Sequence, residues 1–132
     1  MKAVTQEHAC GCAVACVAAV LGTTYKKALA LFDDPGHAGN RGYYCREIVE
    51  ALGKAGRRYA YSYVKAGRDA IRLPGTIVFI RKSAGYPSGH FLARTDGAWM
   101  DPWINFPRVN PACSGFRRRL PGKAGWVIRP AV

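Results

Sequence analysis

Gln6-Glu7-His8-Ala9-Cys10-Gly11-Cys12-Ala13-Val14-Ala15-Cys16-Val17-Ala18-Ala19-Val20-Leu21-Gly22 is the stretch whose reading decides the architecture. From Cys12 to Leu21 no position is polar enough to face water. A helix of that kind is enclosed by protein on every side. Gly22 suits the position just past its end, where a left-handed residue closes the last turn. The apolar run from Ala9 to Gly22 is too short to span a bilayer, and Glu7 and His8 precede it. Only Lys2 stands for a basic leader region, so the run reads as a buried helix and not as a signal peptide. Three of the five cysteines crowd into the seven positions from Cys10 to Cys16. An odd, clustered set is no disulfide framework, and it suits a reducing compartment. The expected location is cytoplasmic, or that of a delivered effector domain.

Outward from this helix the chain changes character. Thr23 and Thr24 offer a cap for a short helix from Tyr25 to Phe32. Asp33 to Gly42 reads as a loop. Ile48, Val49 and Leu52 sit at helical spacing, which predicts a third helix over Tyr43–Gly53. Beyond it Tyr59, Tyr61 and Tyr63 alternate as in a half-buried strand. Thr76–Arg81 is a β-rich run, and Ser83–Gly89 a flexible loop. His90–Thr95 and Ala98–Asp101 form a hairpin about Asp96-Gly97, and Trp126–Arg129 adds a last strand. Helices first and strands later predict an α+β fold, with N-terminal helices packed on a C-terminal antiparallel sheet. The expected organisation is a single domain over residues 1–132.

Lysine and arginine number 20 against eight acids, a net charge of +12. No Asp or Glu follows Asp101, while Arg108, Arg117, Arg118, Arg119, Lys123 and Arg129 do. Such a balance suits a polyanionic partner, an anionic substrate or simple solubility, and it says nothing about fold. The 49% apolar content excludes a disordered chain and provides for a sizeable core.

Four residues carry the chemistry. Cys12 begins the buried helix, where unpaired N–H groups and the helix dipole lower a thiol pKa. The plainer reading is a small core hydrophobe. Gln6 stands six residues upstream, and its amide, with the Cys12 N–H, suits an oxyanion site. His90 opens a strand after a Gly-rich loop and suits a general base; His8 is too close to Cys12 in sequence, and His37 lies in a loop. Asp101 closes the hairpin that His90 opens. Positions summing to 193 pair across that turn, so His90 faces Trp103, close to Asp101. The carboxylate is expected on His90 Nδ1, where it fixes the tautomer. Trp103 is expected either to shield this pair from water or to serve only as core.

In the order Gln6, Cys12, His90, Asp101 the chain resembles the papain-like cysteine peptidases, and among them the C39-like group of small bacterial domains. Gly22 and Tyr25 carry the resemblance too, as do Gly89-His90-Phe91 and Trp99-Met100-Asp101-Pro102-Trp103-Ile104-Asn105. The resemblance covers residues 6 to 106. It implies a papain-like fold, a peptide or amide substrate, and hydrolysis at Cys12 without a cofactor. Related folds also run deamidation and transfer reactions. One departure is Ala13, where the group usually has Gly after the nucleophile. A rival register makes Cys10 the nucleophile, with Gly11 following. The six-residue spacing from Gln6 and the positions of Gly22 and Tyr25 favour Cys12.

Three other readings compete. His8, Cys10, Cys12 and Cys16 could ligate zinc, though not at the usual paired spacing. Arg117-Arg118-Arg119, with Phe116 and Trp126 nearby, could follow a phosphate backbone, as in a papain-fold effector acting on RNA or a basic binding domain. Or the domain could be a catalytically dead interaction module, against which the four intact residues speak. No inhibitor or immunity partner is legible.

Overall fold

A computed structural model describes residues 1–109 and 111–131. The first helix, α1, spans Cys12–Leu21, and every residue from Ala13 to Ala19 is buried. Gly22 follows at φ 69°, and the carbonyls of Ala18 and Ala19 accept its N–H. The helix lies against the sheet and against α2 and α4, which is why its sequence has no polar side. Three helices follow: α2 (Tyr25–Leu29), α3 (His37–Asn40) and α4 (Cys45–Lys54). Thr24 caps α2 through a 3.2 Å bond from Lys27 N–H. At the start of α4 the Glu47 carboxylate accepts the Tyr44 N–H at 2.8 Å and both arms of Arg41. The α2 helix is shorter than its sequence suggests, and α3 forms inside the expected loop.

The remaining elements build one antiparallel sheet. Its strands are β1 (Tyr59–Tyr63), β2 (Ile77–Ile80), β3 (His90–Thr95), β4 (Ala98–Asp101), β5 (Gly115–Arg117) and β6 (Ala124–Pro130). A one-turn helix, α5 (Val64–Gly67), follows β1. The spatial order is β1-β6-β2-β3-β4-β5. The fold class is thus α+β, as the sequence indicates. The β3–β4 register pairs Ala93 with Met100, Arg94 with Trp99 and Thr95 with Ala98, the sums of 193 that the Asp96-Gly97 turn predicts. The tyrosine stripe of β1 differs from expectation. Tyr59 is buried, but Tyr61 and Tyr63 are exposed and lie against Trp126 of β6, with ring centroids 6.0 and 4.0 Å apart. Strand β5 was not expected at all.

Two glycines set the approach of the site segments. A Cβ at Gly11 would lie 2.1 Å from Tyr25 Oη, so glycine is what lets α1 begin beside that ring. Gly89 has φ 73°, and a Cβ there would lie 2.2 Å from the Phe79 ring. That left-handed turn delivers the chain into β3 at His90. Among the described residues no helix is long and apolar enough to cross a membrane.

Candidate active site

Two first residues meet here. Cys12 opens α1 and His90 opens β3. The His90 imidazole and the N–H groups of Phe91 and Ala13 act on the Cys12 thiol electrostatically. Both residues line a cavity of about 230 Å³ that Gln6, Cys10 and Trp103 share.

Asp101 supports His90 from β4. By register Asp101 stands opposite Leu92, two residues along β3 from His90, so the two side chains share a sheet face. His90 Nε2 is 2.7 Å from Asp101 Oδ1. This corrects the expected nitrogen: the carboxylate holds Nε2, and Nδ1 is the one available to the thiol. Asp101 is fully buried, and every oxygen has a partner. Oδ1 also accepts the Trp103 N–H at 2.9 Å, and Oδ2 accepts Arg117 Nε–H at 2.6 Å.

The electrostatics follow from these contacts. Burial pushes the Cys12 thiol up, but the His90 hydrogen bond and charge, with the two N–H groups, bring it below its ordinary value. Burial pushes His90 down, yet Asp101 and Cys12 outweigh it and raise the imidazole to about 9. Burial also opposes the charge on Asp101, and His90, Arg117 and the Trp103 N–H hold its pKa below the usual carboxylate value. Both shifts run toward the charged pair, a thiolate beside an imidazolium. The competing cysteines go the other way. Cys10 is raised by burial and by Cys12, and Cys16, sealed in the core, is raised much further.

Gln6 is buried at the edge of the cavity. Its Nε2 donates to the carbonyls of His8 at 3.0 Å and Ala9 at 3.2 Å. Its Oε1 has no hydrogen-bond partner among the described residues. The remaining histidines are engaged elsewhere: His8 Nδ1 with Tyr25 Oη at 2.9 Å, and His37 with Asp34 at 3.1 Å. Among the described residues no group of three or more His, Cys, Asp or Glu is arranged to hold a metal. Of the arginine run, Arg118 and Arg119 are exposed, but Arg117 reaches inward to Asp101.

Two residues of the site escape a reading of the sequence. Tyr86, in the loop taken as merely flexible, stacks on His90 with centroids 5.1 Å apart and planes 16° from parallel. It occupies the position expected of Trp103. The Trp103 indole instead donates to Arg108 O at 2.7 Å and meets Phe106 edge-on. Arg117 is the other. A lone aromatic in a Gly, Ser and Pro loop was the available signal for Tyr86; for Arg117 it was the shared parity with Asp101, visible only once β5 is known.

No protein-family model matches the chain, and no curated protein matches it either. A solved structure does. The peptidase domain of Streptococcus ComA, a bi-functional ABC transporter involved in a quorum-sensing pathway, superposes with a TM-score of 0.56 and 17% identity, covering 98% of each chain. The chain has the papain-like fold of a C39 peptidase domain. At that identity the likeness concerns the fold, and the chemistry rests on the residues above.

Proposed function

We propose that this protein is a cysteine hydrolase that opens a peptide or amide bond, with Cys12 as nucleophile, His90 as acid and base, and Asp101 holding His90. The observation that carries the reading is that Cys12 and His90 line one cavity while Asp101 holds His90 Nε2 at 2.7 Å; the lowered thiol and raised imidazole agree with it. A fold shared with a peptidase domain supports the same substrate class.

The Cys12 thiolate attacks the substrate carbonyl carbon, and the carbonyl oxygen takes the negative charge. The Cys12 N–H stands at the first position of α1, where it has no acceptor within the helix. It and Gln6 face that oxygen, Gln6 by turning one N–H away from Ala9 O, the longer of its two bonds. The carbon–nitrogen bond then breaks, and the amine leaves with the His90 proton. Water, deprotonated by neutral His90, attacks the thioester; the acid departs and the thiolate–imidazolium pair returns. Deamidation of a glutamine side chain follows the same steps with ammonia as leaving group.

Thiol labelling tests the nucleophile. Iodoacetamide near neutral pH should modify Cys12 before Cys10, Cys16, Cys45 and Cys113, as read by peptide mass mapping. Preferential modification of Cys10 with Cys12 inert would reverse the assignment. Intact-mass profiling of protein extracts treated with wild type and with Cys12→Ala then separates the reactions. A cut polymer splits one mass into two, whereas a deamidated one stays whole and becomes slightly heavier.

A further inference from the structure

Arg117 was expected on a polyanion-binding surface, yet its guanidinium makes three bonds inside the site. Nε–H donates to Asp101 Oδ2 at 2.6 Å, and Nη2 donates to Ile104 O at 3.1 Å and to Tyr86 Oη at 3.3 Å. Strand β5 delivers it. Asp101 pairs with Gly115, and Arg117 lies two residues further along, on the same face. His90, Asp101 and Arg117 thus step diagonally across three neighbouring strands. The side chains alternate in charge as they do so: guanidinium, carboxylate, imidazolium and then the thiolate of Cys12.

We propose that Arg117 is a positioning residue for the Cys12–His90 pair, fixing the carboxylate on the edge of the imidazole and the Tyr86 ring on its face. The proposal rests on the hydrolase reading and adds a residue to it.

Two considerations separate this role from plain stability. First, a fully buried carboxylate with only His90 and one N–H as partners would leave the site one negative charge in excess. Arg117 balances two cations against two anions, and in a site of low dielectric that balance sets how readily the others ionise. Second, one side chain grips both groups that confine His90. A lysine could restore the charge but not the three-armed grip, because its ammonium is a single point. The titratable groups facing the imidazole are Cys12 from α1, Asp101 from β4 and Tyr86 from its loop, with Arg117 behind Asp101. Cys16 feels Asp101 from deeper in α1.

The sign of the effect follows. Removing the guanidinium makes the site more negative, so both Cys12 and His90 hold their protons to higher pH. The test measures the pH profile of Cys12 alkylation by iodoacetamide, and the His90 titration by NMR, in wild type, Arg117→Met and Arg117→Lys. In Arg117→Met the acid limb should move upward by about one pH unit, a roughly tenfold lower rate on that limb. His90 should titrate higher as well. Arg117→Lys should bring both back toward wild type. Profiles that superimpose on wild type, with only the melting temperature lowered, would overturn the proposal. If Arg117→Met does not fold, Arg117→Gln, which keeps an N–H donor for Asp101, takes its place. Failure of both neutral variants to fold, with Arg117→Lys folded, assigns Arg117 to stability alone and overturns the proposal too. Should Cys12 of the wild type prove inert, the hydrolase reading fails, and the His90 titration still decides whether Arg117 sets the poise of the imidazole.

Discussion

At the scale of single residues the site is a set of groups that raise or lower one another. The placement of Cys12, His90 and Asp101 was legible because each stands at the boundary of an element: a helix start, a strand start and the far end of the same hairpin. What was not legible is orientation. Whether Asp101 meets Nδ1 or Nε2 depends on how the imidazole turns at the first residue of β3, and no spacing encodes that. The same contacts predict a pH dependence. His90 titrates at about 9 in the folded chain and is raised from 6.5 by Asp101 and Cys12 against the opposing effect of burial. A raised base stabilises the fold fully below its unfolded pKa, and that contribution is lost as pH rises through the folded value. Cys12→Ala removes one of the two partners that raise it. His90 should then titrate below about 9 by NMR, and its share of the alkaline loss of stability, which still begins at the unfolded pKa, should be complete at lower pH. An unchanged titration would mean that Cys12 does not act on the imidazole.

Elements tell a different story. Helix α1 was plain in the sequence because ten residues without a polar face can sit only inside a protein. The β3–β4 hairpin was equally plain, since a two-residue turn fixes parity and register together. Strand β5 carries no such signal. Three residues, Gly115-Phe116-Arg117, show no alternation, and the strand exists because β4 offers it an open edge. The junction into α1 hides its constraint too. Gly11 reads as half of a Cys-Gly motif, yet its need for glycine comes from Tyr25, distant in sequence. Gly11→Ala should destabilise the fold by about 1–3 kcal/mol, the usual cost of overpacking. The crowding is with the hydroxyl oxygen, 2.1 Å from the added Cβ, while the ring carbon behind it is at 3.1 Å. Tyr25→Phe should therefore relieve it. In a double-mutant cycle by urea denaturation, the Gly11→Ala, Tyr25→Phe variant should lose less stability than the two single variants together. Strict additivity would show that the hydroxyl is not what excludes a side chain at Gly11.

Over the whole molecule the net charge of +12 remains to be placed. Composition alone made Arg117, Arg118 and Arg119 one basic run. The fold divides it, because Arg117 is the last residue of β5 and is drawn inward by Asp101, while Arg118 and Arg119 lie beyond the strand. Arg118 and Arg119 stay in water beside Phe116, which is 46% exposed. No acid follows Asp101 in the chain, so these arginines have no acidic neighbour close in sequence. If these charges form a polyanion site, the probe for it is a single-stranded oligonucleotide at low ionic strength, bound without reading its sequence. The expected binding weakens steeply with salt. Each neutralised phosphate contributes about 0.7 to the slope of log K against log salt for single strands, so Arg118→Gln with Arg119→Gln should reduce the slope by at most about 1.4. The same pair of substitutions should leave the pH profile of Cys12 alkylation where it is, because neither side chain reaches the site. Fluorescence titration of a labelled oligonucleotide over a salt series, run beside the alkylation profile, reads both quantities on one variant. An unaltered slope would show that these charges serve solubility and not polyanion contact. A displaced alkylation profile would show that the surface charge and the buried set are coupled after all, and that the division of the run at Arg117 is not the electrostatic boundary the fold implies.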